Sequence, residues 1–413
     1  MTMSPAAFLV SAGPVDNPQA ARHAGRDDLS LMLMDSRNRT LRWLSAFEAK
    51  GCLLGGRGHA AVPLRWVGHA AWFQEYWTSR HVHRMRGEAA EEAAPRLPSI
   101  DSRADAWFSP ALQPDWRDGL GPTANEVRQY LTDTLEVTLD ILGSVPPTDE
   151  GLHAFRLVLL HEDRLAERLA VAAQWLGLSP DAPELGPQAP PMRAQRHALW
   201  MPAGRVQLGS APGGLVPPNE RWGHEVQVPE SEIDAQVVSW ARYAEFVQDG
   251  GYDEPGWWTA EGWQWVVEAG RRSPRGVEQL RGAVVLERWG GLCRSDPALP
   301  ATHLTWHEAN AWCRWAGRRL PTEAEWELAA LTARTRGFVW GDVHEWMLGA
   351  AKPYPGGDAQ HVAGFGAFRP AAGHRVLRGA SAWTVRRAAH LKARRFVEDL
   401  RDDLFCGFRS CAL

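Results

Sequence analysis

Residues Leu157–Leu169 read L-V-L-L-H-E-D-R-L-A-E-R-L. An apolar run meets His161, Glu162, Asp163 and Arg164 without a break, and the apolar rhythm then resumes at Leu165 and Leu169. This pattern predicts an amphipathic helix that carries an ionisable cluster through a core. Residues four apart on a helix are neighbours, so a histidine at 161 presents a metal-binding face when a second ligand stands at 165. Position 165 is leucine, and the helix therefore offers one imidazole rather than two. Glu162 and Asp163 lie about 100° and 200° round the helix from His161. Of the two, Glu162 is the available substitute for the missing ligand, while Arg164 adds positive charge that opposes a cation.

Three further helices precede this one. Met34, Leu41, Leu44 and Phe47 mark an apolar stripe through Asp28–Glu48, which the glycine-rich break Gly51–Gly58 ends. Pro63 suits a first helical turn and opens P-L-R-W-V-G-H-A-A-W-F-Q-E-Y-W, whose Trp66, His69, Phe73 and Trp77 share one face. Thr123-x-x-Glu126 is a capping box that starts a helix through Leu142, with Val127, Leu131, Leu135 and Leu139 on its buried side. The turn Val145-Pro146-Pro147-Thr148 leads into the opening stretch, and that helix stops at Gly177. Four helices joined by the long connection Gly87–Gly121 make a four-helix bundle over residues 26–179. Residues 1–25 read as a flexible arm, and the proline-rich 180–197 as a linker.

From residue 198 to 413 the texture changes to short strands, glycine turns and tryptophans. Helices are legible at Ser239–Gln248 and Trp306–Ala316, and a third is capped by Thr322. Most of the 22 tryptophans of this 413-residue chain fall here, suiting a unit held by side-chain packing more than by long regular elements. The class is therefore α+β. With 45% hydrophobic and 23% charged residues and a formal net charge of −4, the chain gives no electrostatic reason to expect nucleic acid or a membrane as partner. The five cysteines are scattered, and Cys406 and Cys411 read as buried thiols. The apolar run Ala6–Ala12 lacks a preceding basic residue and makes a poor signal peptide, so a cytoplasmic location is expected. Oligomeric state is left open.

The C-terminal motifs R-R-L-P-T-E-A-E-W-E (Arg318–Glu327), G-D-V-H-E-W (Gly341–Trp346), R-V-L-R-G-A-S (Arg375–Ser381) and G-F-R (Gly407–Arg409) follow the order of the formylglycine-generating-enzyme fold, which resembles C-type lectins and has little regular structure. The N-terminal half resembles a DinB-type bundle in G-H-A-A-W-F-Q-E-Y-W (Gly68–Trp77) and H-E-D-R-L-A-E (His161–Glu167). Together they resemble the non-haem iron sulfoxide synthases of ergothioneine biosynthesis and the related selenoneine synthases. R-D-D-L-F (Arg401–Phe405) and G-F-R-S-C-A-L look closest to the selenoneine synthases.

The resemblance implies iron(II), Fe(2+), held by three histidines at positions matching His69, His161 and Leu165, with Glu167 as the trailing acid. It implies O2-dependent coupling of a selenosugar, or a cysteine-type thiol, to the imidazole C2 of hercynine in a cleft between the two halves. Neutral imidazoles suit iron and leave positions open for O2 and the sulfur or selenium donor.

Two departures from the family pattern fall nearby. His344 stands where relatives show Trp in G-x-V-W-E-W. Arg395 replaces the amide of an R-N-aromatic pattern in Arg394-Arg395-Phe396, and a guanidinium cannot accept a hydrogen bond. Trp72, Arg395 and Phe396 are the candidate substrate-binding residues; Trp72, Trp77 and Phe396 suit cation–π contact with a trimethylammonium group, beside their plain use as core. No catalytic acid or base is assigned. A formylglycine-generating activity would need a close cysteine pair before G-F-R, and Ala388–Arg395 contains none. The remaining alternative is a metal-poor relative that binds without turnover, for which Leu165, Arg164 and Arg395 argue.

Overall fold

Thr148 begins the central helix by accepting from the Gly151 N–H, and Gly177 ends it in the left-handed region at φ 72°. In the computed structural model, which describes residues 13–56, 62–92, 94–112, 116, 121–180, 185–357, 362, 365 and 368–413, six helices lie in the N-terminal half. They are α1 (Pro18–His23), α2 (Arg26–Ala49), α3 (Pro63–Thr78), α4 (Ala104–Phe108), α5 (Ala124–Ser144) and α6 (Asp149–Leu176). The Thr123–Glu126 capping box is present as the sequence predicts. The four long helices α2, α3, α5 and α6 pack on one another. Leu33, Trp43 and Phe47 of α2, Val67 and Phe73 of α3, Leu131 of α5 and Phe155 and Leu169 of α6 share one buried core. Each such side chain contributes about 1.5–3 kcal/mol on leaving water.

The connection between α3 and α5 is tied down by a buried carboxylate. Glu75 on α3 accepts from the Tyr130 hydroxyl at 2.6 Å, the Ser99 hydroxyl at 2.7 Å and the Ile100 N–H at 2.6 Å. The reading of residues 1–25 as a flexible arm is corrected in its second part. Asn17 caps α1, and Arg22 reaches Glu220 of the C-terminal half at 2.7 Å. A capped helix with a buried ion-pair partner is ordered by packing that a local sequence window cannot show. Residues 1–12, including the Ala6–Ala12 run, lie outside the described residues, as do 57–58 of the glycine break, 113–115 and 117–120 of the connection, and 181–184 of the linker.

Among the described residues the C-terminal half holds four short α-helices: α7 (Trp240–Gln248), α8 (Ala260–Glu268), α9 (Trp306–Trp315) and α10 (Glu323–Thr332). In the four-stranded sheet that reaches the bundle, His374–Arg378 pairs antiparallel with both Arg394–Glu398 and His344–Ala350, and Cys406–Gly407 joins the latter in parallel. The sequence motifs meet in its core. Trp326 and Arg409 both bond the buried Glu345 carboxylate, at 3.0 Å for the indole and 2.5 and 2.8 Å for the guanidinium. Arg378 bonds Glu327 at 2.5 Å. These residues are conspicuous in sequence because buried charges require fixed partners. Among the described residues no helix is long and apolar enough to cross a membrane.

Candidate functional site

α6 is buried on nearly every side, with one flank against α2 and α3 and another against the C-terminal half. Its ionisable residues therefore need partners, and they find them across the boundary. Asp163 receives two bonds of 2.7 Å from Arg387 and one of 3.0 Å from Ser36. Glu167 gathers three groups from the C-terminal sheet and its loops: His344 Nε2 at 2.7 Å, Ser381 Oγ at 2.5 Å and Arg395 at 2.5 Å. Burial alone would raise the Glu167 carboxyl, but Arg395, His344 and Ser381 outweigh it and hold it well below the usual range. Burial, then Arg395, push the His344 imidazole down. Burial thus disfavours the charged imidazole, whose Nε2 bonds Glu167, and among the described residues its buried Nδ1 has no hydrogen-bond partner.

His69 and His161 stand side by side on α3 and α6, with ring centroids 5.3 Å apart. His69 Nδ1 donates to the Phe108 carbonyl at 2.9 Å, which fixes its tautomer and makes Nε2 the lone-pair nitrogen. His161 stacks on Phe73 at 4.0 Å and meets Phe365 at 5.4 Å. Two adjacent imidazoles, one oriented by a backbone carbonyl, fit two positions around a divalent ion. The third family position is carbon, because Leu165 is buried in the helical core. Glu162 does not replace it: Arg37 bonds both its carboxylate oxygens, at 2.9 and 3.1 Å. Among the described residues no three His, Cys, Asp or Glu side chains converge on one point. The imidazoles that could be offered to a metal here are two, His69 and His161, and not three.

The substrate candidates separate. Arg395 faces α6 and lines a cavity there. Phe396 does not: neighbouring strand residues point to opposite faces, and Phe396 packs on the cluster containing Met201, Trp326 and Val376. Trp72 is also core, donating its indole N–H to Asp105 at 2.7 Å and stacking on His69 at 5.4 Å. Both side chains are thus engaged in packing, and neither lines either cavity along α6. Sequence reasoning missed Arg387 and Arg168, and it noted Glu167 and His344 without giving them a site role. The missed signal was the density of charges on a helix flanked by apolar runs.

Two cavities lie along α6, one reached by His153, Leu157 and Leu160 and the other by its residues from Arg164 onward. The first, about 380 Å³, is lined by Trp77, Glu88, His153, Arg221, Phe365 and Phe368 among others. The second, about 710 Å³, is lined by Trp66, Arg164, Glu167, Arg168, His344 and Arg395, with Trp175, Arg275, Arg401 and Phe405 beyond them.

Residues 185–372 match the sulfatase-modifying factor enzyme 1-like domain, FGE-sulfatase. The chain is 32% identical over 358 residues to a hercynine oxygenase of Mycolicibacterium thermoresistibile, covering 83% of this chain and 75% of that protein. It is 32% identical over 366 residues to the hercynine oxygenase of Mycolicibacterium smegmatis, covering 84% and 78%. A hercynine oxygenase of Mycobacterium tuberculosis is 26% identical over 433 residues, covering 93% and 98%. The matches define an enzyme with an FGE-sulfatase domain behind a helical N-terminal half. The chain belongs to the hercynine oxygenase family.

Proposed function

We propose that the protein is a hercynine-oxygenase-type enzyme that acts on hercynine in the cleft along α6, in a DinB-like helical half facing the FGE-sulfatase domain. In this reading His69 and His161 hold iron(II), and the product carries a C–Se or C–S bond at the imidazole C2, formed with O2 and a selenosugar or thiol. Bound iron would supply coordination positions for O2 and for the selenium or sulfur donor. The observation that carries the reading is the pairing of His69 with His161, ring centroids 5.3 Å apart, with His161 against Phe365 of the smaller cavity's wall.

The chain's own residues account for binding and water exclusion. Trp77, Phe365 and Phe368 give the smaller cavity an aromatic wall, and Glu91 adds a carboxylate beside the Glu88–Arg221 ion pair. That combination suits a trimethylammonium group, which is attracted by ring faces and by a negative charge. His161 meets Phe365, so a ligand seated there lies next to the histidine pair.

The test is incubation of iron-loaded protein with hercynine, O2 and either a selenosugar or a cysteine-type thiol, followed by mass spectrometry. Oxygen consumption with a hercynine adduct is expected, and the donor that reacts faster settles selenium against sulfur. The buried Leu165 favours a second reading, a metal-poor relative that binds hercynine without turnover. Binding by calorimetry with no adduct from either donor would select it. Absence of hercynine binding would remove both.

A further inference from the structure

The larger cavity contains more positive charge than its walls neutralise. Arg395 is paired with Glu167 at 2.5 Å, Arg401 with Asp403 at 2.6 Å and Arg275 with Asp402 at 3.0 Å. Arg164 and Arg168 are different. Their close contacts are with rings: Arg168 over Trp66 at 3.8 Å, and Arg164 over Phe365 and Phe368 at 5.0 and 6.0 Å. Among the described residues neither has a carboxylate within ion-pair distance, although both line the cavity. They are four residues apart on α6, and so neighbours on one helix face. Burial, with Arg395 beside one and Arg401 beside the other, pushes each guanidinium down to about 10. Each remains charged near neutrality in surroundings that disfavour the charge, a cost that a bound anion relieves.

We propose that Arg164 and Arg168 form an oxyanion site that clamps a doubly charged group, a phosphate ester or a dicarboxylate, in the larger cavity. The planar guanidinium fork matches the oxygens of both groups. A volume of about 710 Å³ holds more than the anion alone, and Trp66, Trp175 and Phe405 offer apolar contact to the remainder of the ligand. The cavity adjoins α6 on the side of Glu167 and His344, while the aromatic, carboxylate-bearing cavity lies toward the other end of the helix. Arg164, whose guanidinium lies over Phe365 and Phe368 of the smaller cavity's wall, marks where the two cavities approach each other along α6. The proposal rests on the hercynine-oxygenase reading only in assigning the anion to the cosubstrate.

The experiment uses the full chain without added iron or hercynine. Inorganic phosphate and glutarate are titrated separately by calorimetry and thermal shift, against chloride at matched ionic strength. Wild type should bind at least one of them saturably. Arg164→Gln/Arg168→Gln should weaken that binding tenfold or more, and Arg164→Lys/Arg168→Lys should retain part of it. Without ligand the glutamine variant should melt no lower than wild type, since it loses two cations that lack carboxylate partners; this separates a lost site from a lost fold. Binding of phosphate alone identifies a phosphate ester, and binding of glutarate alone a dicarboxylate. No saturable binding of either, or equal binding by the glutamine variant, overturns the proposal. Because hercynine and iron are absent, failure here leaves the hercynine reading standing. Loss of hercynine binding with anion binding intact would do the reverse.

Discussion

Glu167 holds two of the residues read from the sequence as departures from the family pattern, since both His344 and Arg395 bond its carboxylate. The departures therefore act as one substitution: an imidazole and a guanidinium meet a single acid. Glu167→Gln keeps the shape but removes the charge, and charge-assisted bonds of this kind contribute about 1.5–3 kcal/mol. A loss of stability of that order is expected at pH 7, read by urea denaturation. The pH dependence has a definite sign. A carboxyl held below its ordinary value stabilises the fold above about pH 4.3, and the contribution is lost as pH falls toward the folded value. The gap between wild type and variant should therefore shrink as pH drops below about 4, and a constant gap would show that the charge is not what matters. Position 167 was visible in the sequence as an acid on a helix. Its partners were not, because they come from residues more than 170 positions away.

α6 is the element on which both halves are assembled, and its ends show how. Gly177 sits at φ 72°, and a Cβ there would lie 3.2 Å from the Gly290 Cα, so the helix terminus doubles as a contact with the C-terminal half. Gly177→Ala should cost about 1–2 kcal/mol from the left-handed backbone alone, and the close approach adds to it. A melting temperature unchanged by the substitution would mean that the terminus relaxes freely. The long helices were legible because caps, apolar period and stops agree: Thr123, Thr148, Pro63 and Gly177 all fall at the boundaries the sequence predicts. α1 escaped because six residues carry too little periodicity, and its order depends on Glu220 far along the chain. The face that Phe396 occupies was not legible for another reason. A motif names a residue without saying which face of its strand it occupies, and alternation turns Phe396 into the core while Arg395 meets the cleft.

Across the whole molecule, the two halves are joined by buried ion pairs as well as by an apolar seam that includes Leu215, Trp383 and Phe405. Arg387 is almost fully buried and bonds Asp163 at 2.7 Å and Asp35 at 2.8 Å, linking the C-terminal half to α6 and α2. Arg387→Ala leaves Asp163 buried without its main partner and should cost about 3–5 kcal/mol, with part recovered by adding Asp163→Ala. Full additivity of the two substitutions would show that the pair is not coupled. If the cleft between the halves is the site, its central claim is that His69 and His161 hold iron. The direct measurement is anaerobic titration of iron(II) into wild type, His161→Ala and Leu165→His. Wild type should bind one iron, His161→Ala should lose it, and Leu165→His should bind about tenfold more tightly or better, a gain of ~1.4 kcal/mol or more. Wild-type binding that His161→Ala leaves untouched, or no binding even by Leu165→His, would contradict the account.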